Sequence, residues 1–288
     1  MAHDTPAVGI LPHTEYLGYL PSGYPLDRLH WPLGQPERLI GKKLRHMGRE
    51  DHLILYPRST SYYRPWFGTR ARISVMILEP EAVHRRHMDK MRRFHRRFHR
   101  VLTANEALLA DIPNGRFFPF GSTWVPEWRD VDVSKTRMVS LIATAKRSQP
   151  GHLPRHEIVD WARTAPVELE AIGRGYKPFD RKSEGLAPYR FSVVIENARE
   201  PNYFTEKLID AILCEAVPIY LGCPNIDRFL PTDGMIICND TGDIRRAVLS
   251  ASQALFEEKL PALRAIKERA AELGETEKRA ALTVLDQG

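Results

Sequence analysis

A chain of 288 residues, 43% hydrophobic and 27% charged, is too apolar to be disordered and long enough for two domains. Its formal net charge of +6 and pI of about 9.2 point to an anionic partner, and nucleic acid, anionic lipid, nucleotide-sugar and acidic glycan all fit. Three widely spaced cysteines, Cys214, Cys223 and Cys238, exclude a disulfide framework and suit a reducing, cytoplasmic setting.

The opening stretch MAHDTPAVGILPHTEYLGYLP has no cationic segment followed by a long apolar run, so no signal peptide is read there. No apolar run reaches the ~18 residues of a membrane span. Residues 1 to about 50 are rich in proline and scattered aromatics, which predicts loops and short strands. The runs HLILYP from His52 and RISVMILEP from Arg72 predict buried strands, each ended by a proline. From Ala82 to Arg100 the spacing of Val83, Met88, Met91, Phe94 and Phe98 predicts one amphipathic helix with Arg, Lys and His on its outer face. RVLTAN is a further strand, and ANEALLADI opens a short helix.

The aromatic, Gly- and Pro-rich stretch Gly115–Lys135 reads as a crossing between domains. An α/β rhythm follows: strands in RMVSLIAT, VELEAIG, RFSVVIEN, VPIYLG and GMIICND, and helices in PRHEIVDWARTA and FTEKLIDAILCEA. Such alternation means parallel βαβ units. From about Thr241 to Ala281 the tail is helical, with a break at Pro261. The expected organisation is an N-terminal domain over 1–128, a C-terminal domain over 129–255 and a helical tail over 256–288.

Ligands of open parallel sheets bind beyond the carboxyl ends of the strands, and ENAREPNYFTEK occupies such an end. Thr205 is suited to cap the next helix, whose first turn presents free N–H groups beside Glu206 and Lys207. Lys207 can hold a phosphate as a point charge, and Glu206 can accept from a pair of sugar hydroxyls. Together they suggest a nucleoside-diphosphate ligand; a solvated Glu-Lys pair in a first helical turn is the plainer alternative.

The stretch YRFSVVIENAREPNYFTEKLIDAILCEAVPIYLG closely resembles the signature of the family 10 glycosyltransferases, the α-1,3/4-fucosyltransferases. The matching positions are Tyr189-Arg190-Phe191, Glu196-Asn197, Tyr203, Thr205-Glu206-Lys207, Val217-Pro218 and Gly222, and FLPTDGMIICND resembles the segment that follows. The resemblance covers roughly Ile73 to Asp240 and none of the first 70 residues. It implies an α/β, GT-B type fold of two Rossmann-like domains facing across a cleft. The donor domain is C-terminal, the acceptor site is mainly N-terminal, and L-fucose passes with inversion from GDP-β-L-fucose to a carbohydrate acceptor.

The same resemblance assigns roles. Glu206 matches the residue on the ribose hydroxyls, Lys207 the lysine on the diphosphate, and Asn197 and Tyr203 contacts to diphosphate and fucose. Arg155 matches an arginine that opens a helix and grips the diphosphate, with Lys146, Arg147 and His152 as further donor-loop candidates. Glu79, directly before Pro80, matches the general base, and Glu81 is the fallback. An acid ending an apolar strand suits that role, because desolvation raises its pKa. No metal or other cofactor is required, because protein cations balance the diphosphate.

Three other signals carry less. The run from His84 to Arg100 leaves a nucleic-acid-binding α/β protein as an alternative of another class, although the transferase reading needs no nucleic acid. The same run fits peripheral contact with an anionic membrane at its cytoplasmic face, where a polysaccharide or lipopolysaccharide acceptor would be met. His95 and His99, four apart on the expected helix, lack the further ligands of a metal site. Trp124, Trp128 and Trp161 read as packing residues, with Trp124 placed where the domains should meet. A transferase using another nucleotide-sugar is the alternative within the class.

Overall fold

A computed structural model of the chain describes residues 5–144 and 152–286. It forms two compact units, Met1–Phe120 with Thr276–Gly288, and Gly121–Glu275.

In the first unit, strands β1 (Val8–Ile10), β2 (His52–Leu55), β3 (Arg72–Ile77), β4 (Val101–Thr103) and β5 (Gly115–Phe117) are all parallel and lie in chain order across the sheet. Helices α1 (Ser59–Tyr63), α2 (Glu81–Phe94) and α3 (Glu106–Asp111) connect them. The two-residue period of the strands divides the core. Leu53, Leu55, Ile73, Val75, Ile77 and Val101 join Met88, Met91 and Leu108 on the helix side. Val8, Ile10, Ile54, Met76 and Leu102 point to the opposite face.

Two expectations change here. The stretch from Gly115 begins with strand β5 rather than a crossing. Helix α2 stops at Phe94 and passes into a 3-10 turn, His95–Arg97, instead of running to Arg100. Asn114 explains the stop: its Nδ2 donates to the carbonyls of His95 and Phe98 at 2.9 and 2.8 Å, satisfying acceptors at the helix end. Phe98 then turns into the core. His95 and His99 therefore share no helix face, and His99 lies against the His52 ring instead. The basic run is likewise no continuous helix of the kind a nucleic-acid-binding reading assumed.

The second unit contains β6 (Arg137–Ile142), α4 (His152–Ala162), β7 (Leu169–Ile172), β8 (Tyr189–Ile195), α5 (Glu206–Leu213), β9 (Val217–Leu221), β10 (Ile236–Ile237), α6 (Thr241–Ser250), α7 (Gln253–Ala265) and α8 (Lys267–Gly274). All pairings are parallel and the order is β7-β6-β8-β9-β10. The chain steps one way from β6 to β7, then returns past β6 to β8. The ends of β6 and β8 thus flank a topological switch point, where open α/β sheets take their ligands.

The tail is no separate element. Helices α7 and α8 belong to the second unit, whereas α9 (Thr276–Leu285) belongs to the first and lays Ala280, Ala281 and Val284 on the outer sheet face. Pro261 lies inside α7, and the breaks fall at Ile266 and Glu275. Proline removes one N–H, but Leu263 beyond it is wholly buried, and that packing carries the helix through. The boundary between units falls at Gly121 rather than 128/129, since Val125 and Trp128 already belong to the second core. Among the described residues no helix is long and apolar enough to cross a membrane.

Candidate functional site

The site grows from the end of β8. Glu196, 2% exposed, follows the last strand residue. Its Oε1 accepts from the Thr205 N–H at 2.9 Å and its Oε2 from the Thr205 hydroxyl at 2.8 Å. Thr205 is the N-cap of α5, and its Oγ1 accepts from the Lys207 N–H at 3.3 Å. One carboxylate therefore ties the strand end to the helix start. The intervening loop is pinned at Asn202, whose φ of 64° is a conformation that Asn tolerates better than most residues. Its N–H donates to Asn225 Oδ1 and its own Oδ1 accepts from Asn225 Nδ2, both at 2.8 Å.

Arg155 reaches this strand end from α4, the helix after β6. Its Nε donates to the Ile195 carbonyl at 3.0 Å, a carbonyl that Nη2 also reaches, and Nη2 donates to Asn197 Oδ1 at 3.0 Å. Burial pushes the Arg155 pKa down, opposed by the Glu196 and Glu206 carboxylates. The guanidinium thus spans the switch point.

Lys207 Nζ donates to Thr205 Oγ1 at 3.0 Å and to Glu206 Oε1 at 3.1 Å, and lies 3.7 Å from Glu196 Oε2. Burial works against the Lys207 ammonium, but Glu196 and Glu206 overcome it and raise its pKa. The Glu206 carboxyl is likewise opposed by burial and then held below its usual range by Lys207 and Lys182. Lys182, nearly buried, stands 3.9 Å from Glu206 Oε1 and 2.7 Å from Asp210 Oδ2. Asp210, one helical turn beyond Glu206 and fully buried, also accepts from the Thr123 hydroxyl at 2.6 Å and the Trp124 N–H at 3.1 Å. Burial raises the Asp210 pKa despite the lysine. Two cations at a strand end beside an N-terminal helical turn can hold a diphosphate, and a first-turn carboxylate can take paired hydroxyls.

Of the residues singled out from sequence, Arg155, Asn197, Glu206 and Lys207 come together here. Tyr203 is buried in the same loop, and its N–H donates to the Glu200 carbonyl at 3.3 Å. His152 is buried in the first turn of α4. Lys146 and Arg147 lie outside the described residues. Glu79 belongs to the first unit, half-buried between β3 and α2. Lys182 and Asp210 escaped the sequence reading. An acid amid Leu208, Ile209, Ala211 and Ile212 was a signal for Asp210, because a charge on an apolar stretch needs a partner. Nothing comparable marks Lys182.

The chain is similar to known proteins in sequence and in fold. Residues 133–250 match the model of the family described as glycosyltransferase family 10 (fucosyltransferase) C-term. The human 3-galactosyl-N-acetylglucosaminide 4-alpha-L-fucosyltransferase is 33% identical over 118 residues, 32% of this chain and 33% of that protein. The 4-galactosyl-N-acetylglucosaminide 3-alpha-L-fucosyltransferase of Pongo pygmaeus is 29% identical over 136 residues, 43% of this chain and 36% of that protein. The matched part is thus about a third of the length of these curated relatives. Among solved structures, Anabaena HepE in complex with UDP and glucose has a TM-score of 0.55 at 10% identity, covering 82% of this chain and 79% of that one. TarM has a TM-score of 0.52 at 13% identity, covering 83% and 55%. At such identities the likeness concerns the fold, which is α/β of the GT-B class with two parallel sheets.

Proposed function

Because residues 133–250 match the C-terminal model of glycosyltransferase family 10, we propose that the protein transfers L-fucose from GDP-β-L-fucose, with inversion, to a hydroxyl of a carbohydrate acceptor in an α-1,3-type linkage. Arg155 and Lys207 reach the end of β8 from two different helices, α4 and α5, and this observation carries the reading. Both contact the diphosphate. Glu206 accepts from the ribose hydroxyls, and Asn197 and Tyr203 line the diphosphate and fucose, with His152 in the first turn of α4 as a further donor contact.

In the transfer, the acceptor oxygen attacks fucose C1 as the C1–O bond to GDP breaks. Glu79 takes the acceptor hydroxyl proton, and the bonding pair leaves with the GDP β-phosphate. Lys207 and Arg155 stabilise the charge developing on that phosphate through cations already in place, which saves reorganisation during the reaction. Protein cations balance the diphosphate, so the scheme uses no metal.

The reading is tested with GDP alone. A ligand that binds only the folded state raises the melting temperature. GDP is expected to do so in the wild type and to lose most of the effect in Lys207→Ala. A protein indifferent to GDP that shifts DNA with a steep salt dependence overturns the assignment.

A further inference from the structure

We propose that Trp124 is the nucleobase platform of the second unit, taking the purine of a nucleoside diphosphate on its exposed indole face. The proposal rests on the donor reading above and adds a part that reading lacks, a surface for the base. Trp124 is 66% exposed, yet its backbone is fixed. Its N–H donates to Asp210 Oδ1 at 3.1 Å, and the neighbouring Thr123 hydroxyl donates to the same oxygen at 2.6 Å. A large indole held open to solvent on an anchored backbone is ready to receive a flat apolar ligand.

Lys182 supplies the link to the rest of the site. Its ammonium sits over the Trp124 ring, 4.9 Å from the centroid, and 3.9 Å from Glu206 Oε1. One cation, 8% exposed, therefore touches both the indole and the carboxylate assigned to the ribose. In a nucleoside the base is attached directly to the ribose, so the groups that hold them must be close neighbours. A lysine against one face orients the ring and leaves its other surface for stacking. Asp210, on the same helix face as Glu206, holds both Lys182 and the Trp124 backbone and keeps the platform in register with the acid.

Calorimetric titration of GDP and of inorganic pyrophosphate into wild type, Trp124→Ala and Trp124→Phe tests this. Loss of stacking predicts GDP binding weakened about tenfold or more in Trp124→Ala, near-wild-type binding in Trp124→Phe, and unchanged pyrophosphate binding in both. Equal GDP affinity in wild type and Trp124→Ala overturns the platform and leaves the donor reading intact. Equal weakening of GDP and pyrophosphate also overturns it, because the indole then acts through the surrounding structure. A wild type that binds neither GDP nor pyrophosphate overturns both readings. Should Trp124→Ala fail to fold, tryptophan emission decides: GDP must quench it in the wild type and not in Trp124→Phe, and quenching that persists contradicts the proposal.

Discussion

Lys182 and Asp210 form a buried ion pair, Nζ to Oδ2 2.7 Å, within the second unit. The carboxylate is wholly out of solvent, so its charge depends on Lys182, the Thr123 hydroxyl and the Trp124 N–H. Asp210→Ala strands the lysine charge and is expected to cost ~3 kcal/mol, read by urea unfolding of the full chain. Lys182→Met should push the already raised Asp210 pKa higher. The folded state then binds a proton that the unfolded state releases, so that variant loses more stability than wild type as pH rises above the ordinary carboxylate range. A parallel pH dependence in the two proteins would falsify this electrostatic account.

Glu196→Ala unties β8 from α5. It leaves the Thr205 N–H and hydroxyl without their acceptor and removes a carboxylate that faces Lys207. A loss of about 2–4 kcal/mol is expected, with a smaller loss in Glu196→Gln, which keeps one acceptor. A stability within error of wild type for Glu196→Ala contradicts the linking role.

Gly222 has no room for a side chain. A Cβ there would stand 2.4 Å from the Tyr220 hydroxyl and 2.6 Å from Glu196 Cγ. Both side chains are buried and hydrogen-bonded, Tyr220 to the Cys223 N–H and Glu196 to Thr205, so one of these contacts must shift. Gly222→Ala should weaken GDP binding although it touches no ligand, a result visible by calorimetry at unchanged secondary structure.

The pH dependence of the second unit carries a separate signature. Lys135 donates to the carbonyls of Ala187 and Cys214, both at 2.7 Å, and burial lowers its pKa from 10.5 to about 8. In the unfolded chain the lysine keeps its proton to higher pH. Its penalty is therefore fully present below about 8, and relief grows as pH rises toward 10.5. Subtracting the stability of Lys135→Met from that of wild type should give a difference that rises over this window; a flat difference rejects the assignment.

Helix α9 covers the sheet face made by Val8, Ile10, Ile54, Met76 and Leu102. Ala280→Asp places a charge in that dry contact and should cost ~3 kcal/mol or more. Limited proteolysis checks this, since cleavage within residues 5–120 should accelerate.

The elements of the second unit were legible because β8, α5 and β9 are long apolar runs separated by one polar loop. The arrangement around Thr205 follows from the same string, since a cap and its helix are local. What stayed hidden depends on distant partners. The end of α2 is decided by Asn114, 19 residues beyond His95. Lys182 meets Asp210 across 28 positions through the fold alone. The strand order that creates the switch point is likewise a property of pairing, not of any one segment. The domain boundary was misplaced because aromatics after Gly121 resemble a linker in composition, while Val125 and Trp128 are core.

The central claim is the donor, and hydrolysis of a panel of nucleotide-sugars tests it most directly. Wild type is expected to release GDP from GDP-fucose in preference to other donors, with turnover lost in Glu206→Ala and Lys207→Ala. Turnover of a different nucleotide-sugar with none of GDP-fucose would contradict the fucosyl assignment, and activity undiminished in both variants would contradict the site.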